Sequence, residues 1–199
     1  MTQIAHLIID ADDPAGVADF YSDVLRLGDL VRVAPGDQAT NGFRGFCLSL
    51  VVAQPANVDV FLDGAVAAGA ALVRRPKKSL WGYGGTLLAP DGTYVTIATA
   101  SRKDAEPVSL VVDEVLLQLG VDNLPASAAF YTERGLTIGR RAKGYAELET
   151  GRITLTLNPR GELARAAGVA AGGSGSHRLR IASDTTPFVD PDGFVWATA

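Results

Sequence analysis

The chain has 199 residues, 47% hydrophobic and 20% charged, with a formal net charge of −4. That is enough apolar material for one or two packed domains without a disulfide or a structural metal. The mildly acidic balance argues against nucleic acid as a partner, and no run of about twenty apolar residues suggests a membrane span. The lone cysteine, Cys47, leaves no intramolecular disulfide and no Cys-rich zinc site. The opening MTQIAHLIIDADD has neither the basic nor the long apolar stretch of a signal peptide, so the expectation is a cytoplasmic chain, monomer or homodimer.

The first predicted unit runs over residues 5–25: an apolar strand, a turn, and a helix opened by Pro14. Val17, Phe20, Tyr21, Val24 and Leu25 fall at i, i+3, i+4, i+7 and i+8, which places one apolar stripe on that helix. Asp13 is its candidate N-cap. Residues 46–66 repeat the pattern, with Pro55 over Pro14 and the stripe Val58, Phe61, Leu62, Ala65 and Val66. Ala89-Pro90-Asp91-Gly92 then has the chemistry of a tight turn between two strands.

The polar stretch 101–106 reads as a linker between halves 1–100 and 107–199. A third copy begins near Glu114, with Phe130-Tyr131 over Phe20-Tyr21 and Asp122 over Asp12. Its stripe is interrupted by Ser127 and Arg134. Glu147 and Glu149 alternate along a strand and read as a solvated face. The stretch 166–176, rich in Gly and Ser, reads as a flexible connection. His177 follows it as a loop-edge residue, and Asp190-Pro191-Asp192-Gly193 forms a second turn.

A strand, a Pro-started helix carrying Phe-Tyr, and a closing hairpin turned by Pro-Asp-Gly resemble the modules of the glyoxalase/bleomycin-resistance/dioxygenase (vicinal oxygen chelate) superfamily. The stretches NVDVFLDGAVAAGAAL (57–72) and LWGYGGTLLAPDG (80–92) are similar to a bacterial glyoxalase-like group within it. The resemblance implies an α+β fold of tandem βαβββ modules, with curved mixed sheets, helices outside and a cleft within. Two modules fall in each half. The first is trimmed, because only residues 26–45 separate its helix from the second repeat, and the fourth has no helix.

Members of that superfamily that do chemistry hold a divalent metal between His on first strands and Glu on last strands. His6 occupies the first such position here; Cys47 and Leu116 replace the next two. Four residues beyond Gly92 and Gly193, where the Glu belongs, stand Thr96 and Ala197. One His does not hold a catalytic metal, so no metal or other cofactor is expected, and His6 is the one residue at which a divalent ion would start. The glycine-rich 82–85 opens no helix and is no phosphate loop.

The reading is therefore a glyoxalase-like protein without a catalytic metal that binds a small organic molecule in a sheet-lined cleft, in a drug- or metabolite-binding or resistance role. His6, Cys47, Trp81, Tyr83, Tyr94 and Thr96 are its candidate lining. The alternatives are a metal-dependent lyase, isomerase or dioxygenase, and an interaction module that self-associates through strand edges left by the trimmed modules.

Overall fold

A computed structural model describes residues 2–79, 82–142 and 144–199. The first unit is β1 (Ile4–Ala11), α1 (Pro14–Asp19), a π-helical turn over Phe20–Val24, and the short strands β2 (Val31–Pro35) and β3 (Thr40–Gly42). The second is β4 (Phe46–Val51), α2 (Pro55–Ala67), β5 (Ala71–Ser79), β6 (Gly82–Leu88) and β7 (Tyr94–Thr99). The third is β8 (Glu114–Val121), α3 (Leu124–Glu133), β9 (Thr137–Ala142), β10 (Tyr145–Glu149) and β11 (Ile153–Pro159). The remainder is α4 (Arg160–Ala167), β12 (Gly173–Gly175), β13 (Leu179–Ser183), β14 (Phe188–Val189) and β15 (Val195–Thr198). The α+β class, the trimmed first unit and the helix-less stretch after Ser176 match the sequence expectation.

The helices begin where proline and polar caps place them. Pro14 and Pro55 take first-turn positions, where a missing N–H costs nothing, and Asp13 accepts from the Gly16 amide at 3.3 Å. After α1 the backbone widens: the Leu25 amide bonds to the Phe20 carbonyl, five residues back. Val17, Phe20, Tyr21 and Leu25 all remain buried through this wider turn. In α2 the expected stripe holds through Ala65, but Val66 is 43% exposed. At 100° per residue, position i+8 lies about 80° round from Val58, at the margin of the stripe. In α3 the polar Ser127 is buried because its hydroxyl donates to Asp192 Oδ2 at 2.7 Å, and Arg134 lies 3.4 Å above the Phe130 ring.

Strand pairing runs across the 101–106 linker. One sheet has the order β14-β15-β13-β1-β2 and joins the first unit to the last; an eight-stranded sheet, β5-β6-β7-β4-β8-β11-β10-β9, joins the second to the third. The seam of the larger sheet is the antiparallel pair β4–β8, with Leu48 opposite Leu117. The linker itself is pinned: Gln54 Oε1 accepts from the amides of Ala105 and Glu106, and its Nε2 donates to the Glu106 carbonyl at 2.7 Å.

Leu7 and Ile9 of the smaller sheet, Leu48, Ile97 and Leu117 of the larger, and Phe61 and Tyr131 of the helices belong to one continuous core. Fully burying each such side chain contributes about 1.5–3 kcal/mol. Helices α1, α2 and α3 supply that core. The opposite face of the eight-stranded sheet is left open except where α4 crosses it.

Three sequence expectations change here. Residues 160–167 form α4, closed by Gly168 in the left-handed conformation, where a loose segment was expected to begin at Ala166. The Gly/Ser run beyond it is held rather than free: β12 pairs antiparallel with β3, Gly173 opposite Gly42 and Gly175 opposite Thr40. A Cβ on Gly175 would stand 2.1 Å from the Ala39 carbonyl oxygen, so only glycine allows this approach. His177 is half-buried rather than at a loop edge. Its ring stacks on Phe194 at 4.0 Å, with Nδ1 2.5 Å from the Arg44 carbonyl and Nε2 3.0 Å from the Asp192 carbonyl.

The dibasic pairs Arg74-Arg75, Lys77-Lys78 and Arg140-Arg141 fall on β5 and β9, the two edges of the eight-stranded sheet. Charges on an edge, with Pro76 among them, oppose pairing with another chain.

Candidate functional site

Side chains alternate across a strand, so register assigns each residue of the eight-stranded sheet to the core or to the open face. Phe46, Leu48 and Leu50 of β4 point into the core, and Cys47, Ser49 and Val51 point the other way. Three rows then cross the open face. One runs Leu88, Tyr94, Cys47, Gln118, Thr156, Glu147; the next Thr86, Thr96, Ser49, Leu116, Thr154; the third Gly84, Ala98, Val51, Glu114.

α4 and the chain beside it close one end of this face. Phe43, Leu163, Ala164 and Ala167 pack around Cys47, with Tyr94 at the margin. Cys47 is completely buried, and that burial pushes its thiol up to about 12. A thiol so placed packs as a small hydrophobe and is no nucleophile.

The middle of the face has a different character. Ser49, Thr96, Leu116, Gln118 and Thr154 are half-buried. Thr96 Oγ1 donates to the Leu48 carbonyl at 3.4 Å. At the β5–β7 end, a recess of about 140 Å³ is lined by Arg74, Lys77, Gly84, Thr96 and Ala98, among others. Arg74 reaches across to α4, where its Nη1 donates to the Ala166 carbonyl at 2.5 Å.

The sequence-derived lining residues are therefore divided. Tyr94, Thr96 and Cys47 share the open face, with Cys47 sealed beneath α4. Tyr83 borders the 140 Å³ recess, but its hydroxyl donates to Asp59 of α2 at 2.7 Å, on the helix side of the sheet. That bond to Asp59, more than burial, raises the phenol to about 12. Trp81 lies outside the described residues. His6 is not part of this face: it stands on β1 of the smaller sheet, opposite Ala182 of β13. The module-by-module equivalence of His6 and Cys47 is a relation between two sheets and brings no two side chains together. The expected single lining set is corrected to that extent. Ser49, Gln118, Thr156 and Arg74 were missed, although counting by twos from Cys47 reaches Ser49.

The resemblance implies a divalent metal held from such rows, and the donors present do not fit one. His6, Ala182 and Ala197 form a single row across the smaller sheet, and two of the three are methyl groups. Burial, with Arg32 adding to it, lowers the His6 pKa. In the larger sheet Thr96, Ser49 and Leu116 offer two neutral hydroxyls. Among the described residues no three of His, Cys, Asp or Glu converge.

Two other recesses hold polar groups that are in part matched by protein partners, with Arg44 Nε and Nη1 in the first left without one. One of about 280 Å³ lies beside the β12 strap. Its His177 is bound through both ring nitrogens, Arg160 donates to the Ala171 and Phe43 carbonyls, and Asp192 accepts from the Asp122 amide and Ser127. One of about 480 Å³ beside His6 contains the Arg152–Asp29 ion pair, 2.8 Å.

Comparison with solved structures identifies the architecture. Glyoxalase I from Zea mays aligns over 98% of this chain and 91% of its own, with a TM-score of 0.62 and 14% identity. A mutant of that enzyme gives 0.61 at 16% identity, covering 98% and 92%. A putative dioxygenase from Bacillus subtilis gives 0.57 at 13%, covering 98% and 83%. No family model matches the sequence, and no curated protein does. At these identities the likeness is one of fold: the chain has the two-half glyoxalase architecture along almost its whole length.

Proposed function

We propose that this chain binds a small organic molecule on the open face of its eight-stranded sheet, without a divalent metal of its own. The carrying observation is the composition of that face. Thr96, Ser49, Gln118 and Thr154 are half-buried neutral donors and acceptors, interleaved with Leu116 and Val51, on the face of the sheet that α4 crosses at one end. A solvated sheet face carries charges and a packed one carries apolar side chains. Few fixed polar groups among apolar neighbours is the composition of a ligand site. The fold supports the reading, because glyoxalase-type sheets form a cleft on this side. The donor set supports the metal-free part of it.

The test is an amide-shift map of the protein, titrated with small aromatic and aliphatic molecules, beside metal analysis of protein purified without chelator. Binding should perturb Ser49, Thr96 and Gln118 together. Perturbations confined to other surfaces, or stoichiometric zinc, nickel, iron or manganese in the purified protein, would overturn the proposal.

A further inference from the structure

We infer that the β5–β7 end of the open face is a subsite for a carboxylate of the bound molecule, so that the ligand is an organic acid. This rests on the reading of that face as a ligand site.

Two strands here face each other with an unusual set of partners. Arg74 stands opposite Thr86, and Lys77 stands opposite Gly84. Thr86 is wholly buried, and its hydroxyl has no hydrogen-bond partner; Arg74 Nε is buried and also has none. A buried polar group left unmatched is destabilising, more so when it is charged. Of the two, Arg74 lines the recess, and it is there that an acceptor is missing. Nor is either cation neutralised: among the described residues, no ion pair involves Arg74 or Lys77. The carbonyl of Ala166 at the end of α4 holds one Arg74 nitrogen and fixes the guanidinium, but it carries no full charge.

The floor beneath is bare. Gly84 and Ala98 are register partners, and a Cβ on Gly84 would stand 2.8 Å from that of Ala98. That close approach admits only glycine at position 84, and it leaves the backbone of Gly84 and the methyl group of Ala98 as the wall of the recess beside Arg74 and Lys77. The recess of about 140 Å³ is too small for a whole drug-sized ligand, whose sites span roughly 300–1,000 Å³, and suits one terminal group of it. An arginine fixed in orientation beside a lysine favours a planar carboxylate, since the guanidinium offers parallel donors and the ammonium a point charge.

Benzoate and its neutral isostere benzamide test this, with amide shifts of the full chain followed in each titration. Benzoate should perturb Gly84, Thr96 and Ala98 and bind at least tenfold more tightly than benzamide. Lys77→Gln, a change at an exposed residue that leaves the melting temperature unaltered, should weaken benzoate at least threefold and leave benzamide unchanged. Equal affinity for the two probes, or benzoate binding that ignores Lys77→Gln, overturns the carboxylate subsite. If both probes still perturb Ser49 and Gln118 alike, the open face remains a ligand site and only the acid preference falls. If neither probe perturbs any part of the face, both inferences fall.

Discussion

The Tyr131 hydroxyl donates to Asp190 Oδ2 at 2.6 Å, joining the third unit's helix to the turn that closes the last strand pair. Tyr21 makes the corresponding contact in the first half, donating to Asp91 Oδ1 at 2.9 Å. Each tyrosine is the second residue of a Phe-Tyr pair; Asp91 is the middle residue of its Pro-Asp-Gly turn, whereas Asp190 stands immediately before the proline of the other. These bonds tie helix to hairpin across unit boundaries.

Tyr131→Phe should destabilise the fold by roughly 1–3 kcal/mol, read as a lower midpoint in urea. The loss exceeds that of one exposed bond, because Trp196 Nε1 also donates to the same oxygen and Asp190 is buried. A midpoint unchanged by the substitution would remove this hydroxyl from the fold's support.

Asp190 carries a pH dependence with a definite sign. Burial raises its carboxyl above the ordinary 3.8, against the lowering effect of its hydrogen bonds from Tyr131 and the Phe194 and Asp192 amides. A carboxyl with a raised folded pKa binds protons more readily folded than unfolded. Its contribution is fully present below the unfolded value and is lost as pH rises through the folded one. Stability of the wild type relative to Asp190→Asn should therefore fall as pH rises from about 4 toward neutrality, measured by urea unfolding at several pH values. A difference that rises over that range contradicts the assignment.

Arg44 and Asp91 form a buried ion pair at 2.8 Å, and Arg44 also donates to Thr93. Arg44 Nε and Nη1 have no partner, so little else compensates this charge. Asp91→Ala should cost roughly 3–5 kcal/mol by leaving the guanidinium buried alone. Arg44→Met with Asp91→Ala should recover part of that loss. A double variant no more stable than Asp91→Ala would show that the aspartate's other bonds, from Tyr21 and Thr93, dominate.

Cys47 should resist a disulfide reagent in the native protein at pH 8 and react with one equivalent in guanidinium, because burial keeps its thiol protonated. Native labelling on the timescale of free cysteine would show that the packing of α4 over Cys47 opens readily.

Much of the fold is written locally. The starts of α1 and α2 follow from Pro14, Asp13 and Pro55, and the two hairpins from Pro-Asp-Gly, because caps and turns are settled by neighbouring dihedrals and hydrogen bonds. α4 was legible too: Glu162 and Arg165 at i, i+3 and Gly168 beyond the end signal a short helix, hidden by the glycine run that follows. The open-face residues were legible only as far as the period of two reached, giving Tyr94 and Thr96 but not their neighbours on β8 and β11.

The sequence by itself determined the repeated units, their helices and turns, and that Cys47, Leu116, Thr96 and Ala197 stand where the resemblance implies metal ligands. Tertiary structure decided which units share a sheet. β1 pairs with β13 and β4 with β8, and that choice separates His6 from Cys47 and sets Thr96 beside Ser49 and Leu116. Strand pairing between distant segments is selected by the burial of a common core and by the fit of whole faces, and no window of sequence contains either quantity.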